Sequence, residues 1–101
     1  MAPQRLNQNE IEDALSKVEG WTLQSDREAI QRTFSFNDFK EAWGFMARCA
    51  LKAEEMCHHP EWFNVYNRVE VTLATHDCSG LSKLDFELAT YMNKASGQSQ
   101  P

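Results

Sequence analysis

The three histidines of this 101-residue sequence lie close together along the chain, at positions 58, 59 and 76. Imidazole is the side chain best matched to proton transfer near neutral pH, and one positioned acid or base contributes typically about 10² to 10⁴ in rate. Glu54 precedes His58 by one helical turn, so its carboxylate can hydrogen-bond that ring and hold its tautomer. Several imidazoles together make separate acid and base roles possible.

Two elements must bring the histidines together. His58 and His59 follow a predicted helix, and His76 lies at the end of a predicted strand. If the last hairpin turns about Asn67 and Arg68, His59 lies opposite His76. Because His58 is adjacent to His59, we expect the three imidazoles to converge at one sheet edge even if the register is off by one.

Other interpretations of the cluster remain open at this point. Three imidazoles and a water resemble an open catalytic zinc site, but successive residues of an extended segment point to opposite faces, so His58 and His59 cannot easily face one ion. The rings can also fill a polar rim beside the tryptophans, and Cys57 can be a nucleophile activated by His76. We predict no metal and no cofactor, since the sequence also lacks a glycine-rich phosphate loop.

Apolar periodicity predicts seven elements. The long helix has the strongest period, and Pro60 ends it because proline excludes helical geometry at the preceding residue. Ser82 and Asp85 form a capping pair that opens the last helix. The elements are a helix from Asn7 to Gly20, strands at 21–24 and 29–34, a helix at about 38–57, strands at 62–66 and 69–75, and a helix from Ser82. We therefore predict an α+β fold of order α-β-β-α-β-β-α, with three helices packed on one face of a four-stranded antiparallel sheet.

Length and composition indicate a single domain over 1–101, with loose ends at about 1–6 and 96–101. The chain has 42% apolar residues, and its 15 acidic and 10 basic side chains give a net charge of −5. An acidic chain without clustered positive charge is not expected to contact nucleic acid directly. The polar start and the short apolar runs predict neither a secretory signal nor a membrane segment. Three cysteines without CxxC spacing suggest reduced thiols, hence the cytoplasm or the nucleus.

A spaced pattern extends beyond the histidines: an acidic residue at 54, His-His-Pro at 58–60, an aromatic residue at 66, histidine at 76 and Asp85. It resembles pterin-4a-carbinolamine dehydratase, a family that includes the dimerization cofactor of hepatocyte nuclear factor. The resemblance covers nearly the whole chain. It implies an enzyme that removes water from 4a-hydroxytetrahydropterin (4a-hydroxytetrahydrobiopterin) to give quinonoid dihydropterin, and so recycles tetrahydrobiopterin.

The resemblance also implies roles for individual residues. His58 and His76 would be the acid and base groups and would serve opposite faces of the pterin, while His59, the third catalytic residue, would mainly bind and orient it. Glu54 would support His58. The other substrate-binding residues would be Cys57, Pro60, Trp62, Ala74, Thr75 and Asp77. Relatives often carry an acidic residue at position 57, so only a backbone role for Cys57 is expected.

Assembly follows from the same resemblance. The family forms a homotetramer, a dimer of dimers, with sheets continued across one interface and helices bundled at the other. The helix at 38–57 has an apolar stripe wider than its own domain requires, which agrees with such a bundle. In animal relatives this helix surface binds a homeodomain transcription factor and stabilises its dimer, so transcriptional coactivation is the alternative function.

Overall fold

The computed structural model describes residues 3–97. The predicted α+β class and element order are confirmed, with one additional 3₁₀ turn at His76–Cys78 before the last helix. Residues 1, 2 and 98–101, which belong to the predicted loose ends, lie outside the described residues. The elements are α1 (Gln8–Leu15), β1 (Thr22–Leu23), β2 (Ile30–Ser35), α2 (Phe39–Met56), β3 (Glu61–Val65), β4 (Arg68–Leu73) and α3 (Lys83–Ser96).

The sheet is antiparallel throughout, in the order β1-β2-β4-β3. Val69, Val71 and Leu73 of β4 are buried on the face that the helices cover, as their alternation predicts. Across that core, the Phe34 ring of β2 lies 4.8 Å from the Phe45 ring of α2. The core therefore lies between the helices and one face of the sheet.

The predicted register of the last hairpin is wrong by two residues. The turn consists of Tyr66 and Asn67, with Val65 opposite Arg68. Tyr66 takes a left-handed conformation (φ 50°), and the Asn64 amide donates to the carbonyls of Tyr66 and Arg68. These bonds close the turn one residue earlier than the sequence suggests. His59 and His76 are consequently not opposite each other in a ladder.

Caps fix both ends of α2, the helix that precedes two of the histidines. Asp38 accepts a hydrogen bond from the Glu41 amide at the start of α2. Cys57 ends that helix in a left-handed conformation (φ 53°), and the His58 amide turns back to the Ala53 carbonyl at 3.0 Å. Within the described residues, no helix is both long and apolar enough to span a membrane.

Candidate active site

The most buried histidine forms a pair with a buried carboxylate. His58 Nε2 lies 2.7 Å from Asp85 Oδ1, and the two side chains are 8% and 0% exposed. Asp85 is the third residue of α3, where the capping box with Ser82 holds it. Its Oδ2 accepts from the Thr75 hydroxyl at 2.6 Å and from the Ser82 amide at 3.0 Å. The carboxylate therefore has three donors around it and no freedom to turn.

This network assigns the protons. Thr75 has one hydroxyl hydrogen, which goes to Asp85, so the 2.7 Å contact between Thr75 Oγ1 and Ser82 Oγ requires Ser82 to donate. Asp85 Oδ1 is an acceptor, which places a proton on His58 Nε2. The remaining ring nitrogen, Nδ1, then carries a lone pair in the neutral imidazole. His58 is thus prepared to accept a proton, and Asp85 stabilises the imidazolium that results.

His59 has a carboxylate partner of its own. Its Nε2 lies 2.9 Å from Glu54 Oε1, and both side chains are exposed. The predicted contact between Glu54 and His58 is therefore wrong. The left-handed Cys57 reverses the chain at the helix end, so that His59 contacts the last turn of α2 while His58 faces the interior. The backbone N–H of Cys57 donates to the Glu54 carbonyl at this helix end.

His76 also lies beside a carboxylate. Its Nε2 is 3.7 Å from Glu61 Oε2. Glu61 in turn accepts two hydrogen bonds from the Arg27 guanidinium, at 2.8 and 3.0 Å. These bonds, more than the charge of His76, lower the pKa of Glu61 below its ordinary value. Each of the three imidazoles is therefore paired with a different carboxylate.

The three pairs meet at one cavity of about 330 Å³. It brings together eight of the ten predicted site residues, and Glu54 reaches it through His59. Trp62 is not in the lining and packs against the core. Among residues 3–97, no group of three His, Cys, Asp or Glu side chains is arranged to hold a metal ion. The lining residues are Pro3, Cys57, His58, His59, Pro60, Glu61, Ala74, Thr75, His76, Asp77 and Leu84.

The N-terminal segment contributes Pro3 to the lining of this cavity and is attached to the fold by two contacts. Arg5 donates to both oxygens of Glu28, at 2.8 and 3.0 Å, and Leu6 donates to the Leu81 carbonyl at 2.8 Å. Glu28 also accepts from the Leu81 amide, and with Arg5 this holds the pKa of Glu28 below its ordinary value. Part of the segment that we predicted to be loose is therefore attached. A larger cavity of about 660 Å³ lies between this segment and the start of α3, but it contains no histidine.

Sequence reasoning missed three contributors to the site. Asp85 belonged to the recognised pattern without a role, although its capping pair with Ser82 indicated where its side chain is held. Glu61 had no signal, because its partner Arg27 is 34 residues away. Pro3 is brought in by the Arg5 contacts, which periodicity does not predict.

Comparison with known proteins identifies the family of this chain. The family model described as pterin 4 alpha carbinolamine dehydratase matches residues 4–95. The chain belongs to the pterin-4a-carbinolamine dehydratase family. Two relatives are provisionally named pterin-4-alpha-carbinolamine dehydratase. The protein from Sinorhizobium fredii is 50% identical over 101 residues, covering 100% of this chain and 96% of its own length. The protein from Brucella ovis is 53% identical over 97 residues, covering 96% and 100%.

Two solved structures agree with the fold. The crystal structure of a transcriptional coactivator/pterin dehydratase from Brucella melitensis has a TM-score of 0.91 and 52% identity, covering 93% of this chain and 100% of that one. A pterin dehydratase-like protein identified as a RuBisCO assembly factor in the alpha-carboxysome has a TM-score of 0.70 over 80% of this chain and 94% of its own. At 21% identity, the second likeness supports the fold alone.

Proposed function

We propose that this chain removes water from 4a-hydroxytetrahydropterin to give quinonoid dihydropterin. The observation that carries the proposal is the single cavity in which three imidazoles, each with its own carboxylate, meet. Family membership supplies the substrate class. The cavity supplies groups that can exchange protons on more than one side of a bound ring.

The reaction needs two proton transfers. The C4a–O bond breaks as the hydroxyl oxygen takes a proton and leaves as water, and a ring nitrogen next to C4a loses its proton to form the new double bond. His58, with its Nδ1 lone pair, is suited to remove that proton, and Asp85 stabilises the charge that His58 gains. His76 beside Glu61 is suited to protonate the hydroxyl. For the other hydroxyl stereoisomer the two histidines exchange roles.

His59 has a different task in this scheme. Its ring is exposed at the rim of the cavity and is held by Glu54 at 2.9 Å. An oriented polar ring at a rim can bind the polar edge of a pterin without entering the proton transfer. Replacing His59 by asparagine should therefore raise KM more than it lowers kcat.

The direct test is the rate of quinonoid dihydropterin formation from freshly generated 4a-hydroxytetrahydropterin. The protein is treated with a chelator and dialysed, and we expect acceleration well above the spontaneous rate. His58→Asn and His76→Asn should each lose about 10² or more of the acceleration, because each stereoisomer needs both an acid and a base. Glu70→Gln, on the exposed side of β4, is the control and should keep the wild-type rate. A folded protein that does not accelerate the reaction would refute the proposal.

The stereochemical division has its own test. Each histidine variant is assayed with the two hydroxyl stereoisomers separately. Opposite preferences in the two variants are expected, because each histidine is the base for one isomer and the acid for the other, and losing the base slows the reaction by a different factor than losing the acid. Equal slowing of both isomers by each single variant would contradict the exchange of roles.

We also propose the homotetramer, because two surfaces are unusually apolar. On α2, Trp43 is 58% exposed with its ring stacked on Phe39, and Leu51 is 74% exposed. At the outer strand β3, Phe63 and Val65 are exposed along an edge that no other strand of this chain's sheet covers. Trp43→Glu should reduce the sedimentation coefficient from that of a tetramer to that of a dimer. Lys40→Glu, also exposed on α2, is the control, and a wild-type monomer would contradict the assembly.

Coactivation is the second candidate function. The same α2 surface favours it, and the Brucella melitensis relative is described as a transcriptional coactivator as well as a pterin dehydratase. The partner would be a homeodomain transcription factor whose dimer is stabilised by binding. Trp43→Glu should abolish such binding, while His58→Asn with His76→Asn should abolish dehydration only. Loss of both properties together in a folded tetramer would show that the two sites are not separate.

A further inference from the structure

Glu61 is an exposed residue, yet two hydrogen bonds fix its carboxylate. Arg27, in the connection between β1 and β2, donates to both Glu61 oxygens at 2.8 and 3.0 Å. A bidentate guanidinium fixes the plane of a carboxylate as well as its position. The fixed oxygen Oε2 is the one that lies 3.7 Å from His76 Nε2. The clamp therefore sets the point at which a negative charge faces His76.

His76 is the histidine that packing constrains least. Its side chain is 77% exposed, against 8% for His58. It lies at the start of a short 3₁₀ turn, where its ring is not enclosed by a helix or a strand. An acid group that must meet one atom of a substrate needs an orientation, because a misplacement of about 1 Å can cost a factor of 10². A contact outside the core must therefore orient the His76 ring.

We propose that Glu61, clamped by Arg27, is the positioning residue of His76 and holds the ring at the cavity. This inference rests on the proposed dehydratase function, and it connects the β1–β2 turn to the active site. The pKa of Glu61 is lowered by Arg27, so its negative charge persists at neutral pH. The other titratable side chains around the same cavity are Cys57, His58, His59 and Asp77.

A charge-swap experiment separates positioning of His76 by Glu61 from stabilisation of the fold by the ion pair of Glu61 with Arg27. Glu61→Gln should lower kcat about tenfold and change KM less than twofold, with little change in Tm. The double variant Arg27→Glu/Glu61→Arg keeps an ion pair between the two segments but puts a guanidinium beside His76. We expect it to keep a Tm close to that of the wild type while kcat stays as low as in Glu61→Gln or falls further. Glu61→Asp, which keeps the charge, should recover part of kcat.

The control is a matched ion pair on the next strand. Arg68 Nη2 lies 3.3 Å from Glu70 Oε2, with exposure similar to that of Glu61. Glu70→Gln should leave kcat unchanged. Full recovery of kcat by the charge swap, or an equal loss in Glu70→Gln, would overturn the proposal.

A second readout does not depend on turnover. In nuclear magnetic resonance spectra at pH 7, the Cε1–H signal of His76 should move in Glu61→Gln, while that of His59 stays in place. An unmoved His76 signal would overturn the proposal even in an active enzyme. If the wild-type protein has no dehydratase activity, the proposed function fails, and the His76 signal still decides whether Glu61 controls this ring.

Discussion

Replacing Asp85 by asparagine tests the proton assignment at the buried pair. Oδ2 of Asp85 receives two donors, from Thr75 and Ser82, whereas Oδ1 receives one, from His58. Asparagine has a single oxygen, which is most stable where the two donors converge, so its NH₂ group faces His58 Nε2. His58 must then take the opposite tautomer, with its proton on Nδ1. The nitrogen that should accept the substrate proton becomes a donor.

The structure sets the size of both effects. Three charge-assisted hydrogen bonds become neutral ones, which should cost about 1 to 3 kcal/mol of unfolding free energy. In a domain of about 100 residues, this lowers Tm by roughly 4 to 20 °C. Inverting the tautomer should lower kcat by about 10² to 10⁴, the range for a lost general base and for a carboxylate-to-amide change in a Ser-His-Asp triad. The alanine variant is less useful, because it leaves three buried donors without an acceptor.

The assay combines stopped-flow measurement of quinonoid dihydropterin with a thermal melt and ¹⁵N spectra of the His58 ring. The control is Glu87→Gln, on the exposed side of α3 near Lys52. It should change neither kcat nor the tautomer. A folded Asp85→Asn protein that retains the Nε2 proton on His58 and turns over at the wild-type rate would refute the proton assignment.

Three further outcomes are expected. Burial raises the pKa of the Cys49 thiol to about 12, so its thiolate fraction at pH 8 is about 10⁻⁴. A thiol reagent should therefore label the exposed Cys57 in the native protein and leave Cys49 unlabelled until the protein unfolds. Simultaneous labelling of the two cysteines would contradict this. Because the pKa of Glu28 is lowered on folding from about 4.5, its stabilisation is present above that pH and lost as the pH falls through the folded value. Denaturant titrations should show Glu28→Gln less stable than the wild type at pH 7, by a difference that shrinks as the pH falls below about 4.5, and a difference that does not change with pH would contradict the shift. Gly80→Ala should lower Tm, because the added methyl group would overlap Glu28 Oε2 and Arg5 Nε; an unchanged Tm would show that this contact is loose.

The architecture was predictable because its signals are local. Alternation along β4, the period of α2 and the capping pair of Ser82 with Asp85 each depend on a few neighbouring residues. The turn of the last hairpin was not predictable in the same way. Asn67 is a typical turn residue, but the left-handed residue is Tyr66, a conformation that its side chain does not favour.

The sequence was sufficient to predict most of the residues that form the site, but not which of their side chains contact each other. The spacing in the sequence predicted correctly that the three histidines converge. It also predicted that Glu54 contacts His58, whereas Glu54 contacts His59. A helical offset of four residues holds only while the helix continues, and α2 ends at Met56 with a left-handed residue after it. The true partner of His58 comes from α3, 27 residues later. Tertiary pairings of this kind depend on how elements pack, which apolar periodicity does not encode.

The three carboxylate partners differ in burial, and this separates their energetic consequences. Asp85 is buried inside the fold, so the contacts that orient His58 are also contacts that stabilise the domain. Glu54 and Glu61 are exposed ion-pair partners, which typically contribute only about 0 to 1 kcal/mol to stability. Substitutions at Asp85 should therefore reduce kcat and Tm together, whereas substitutions at Glu54 and Glu61 should affect catalysis with little change in Tm. Substitutions in the two exposed pairs should therefore cost little stability. A substitution in the buried pair of Asp85 and His58 also disturbs the hydrogen bonds of Thr75 and Ser82.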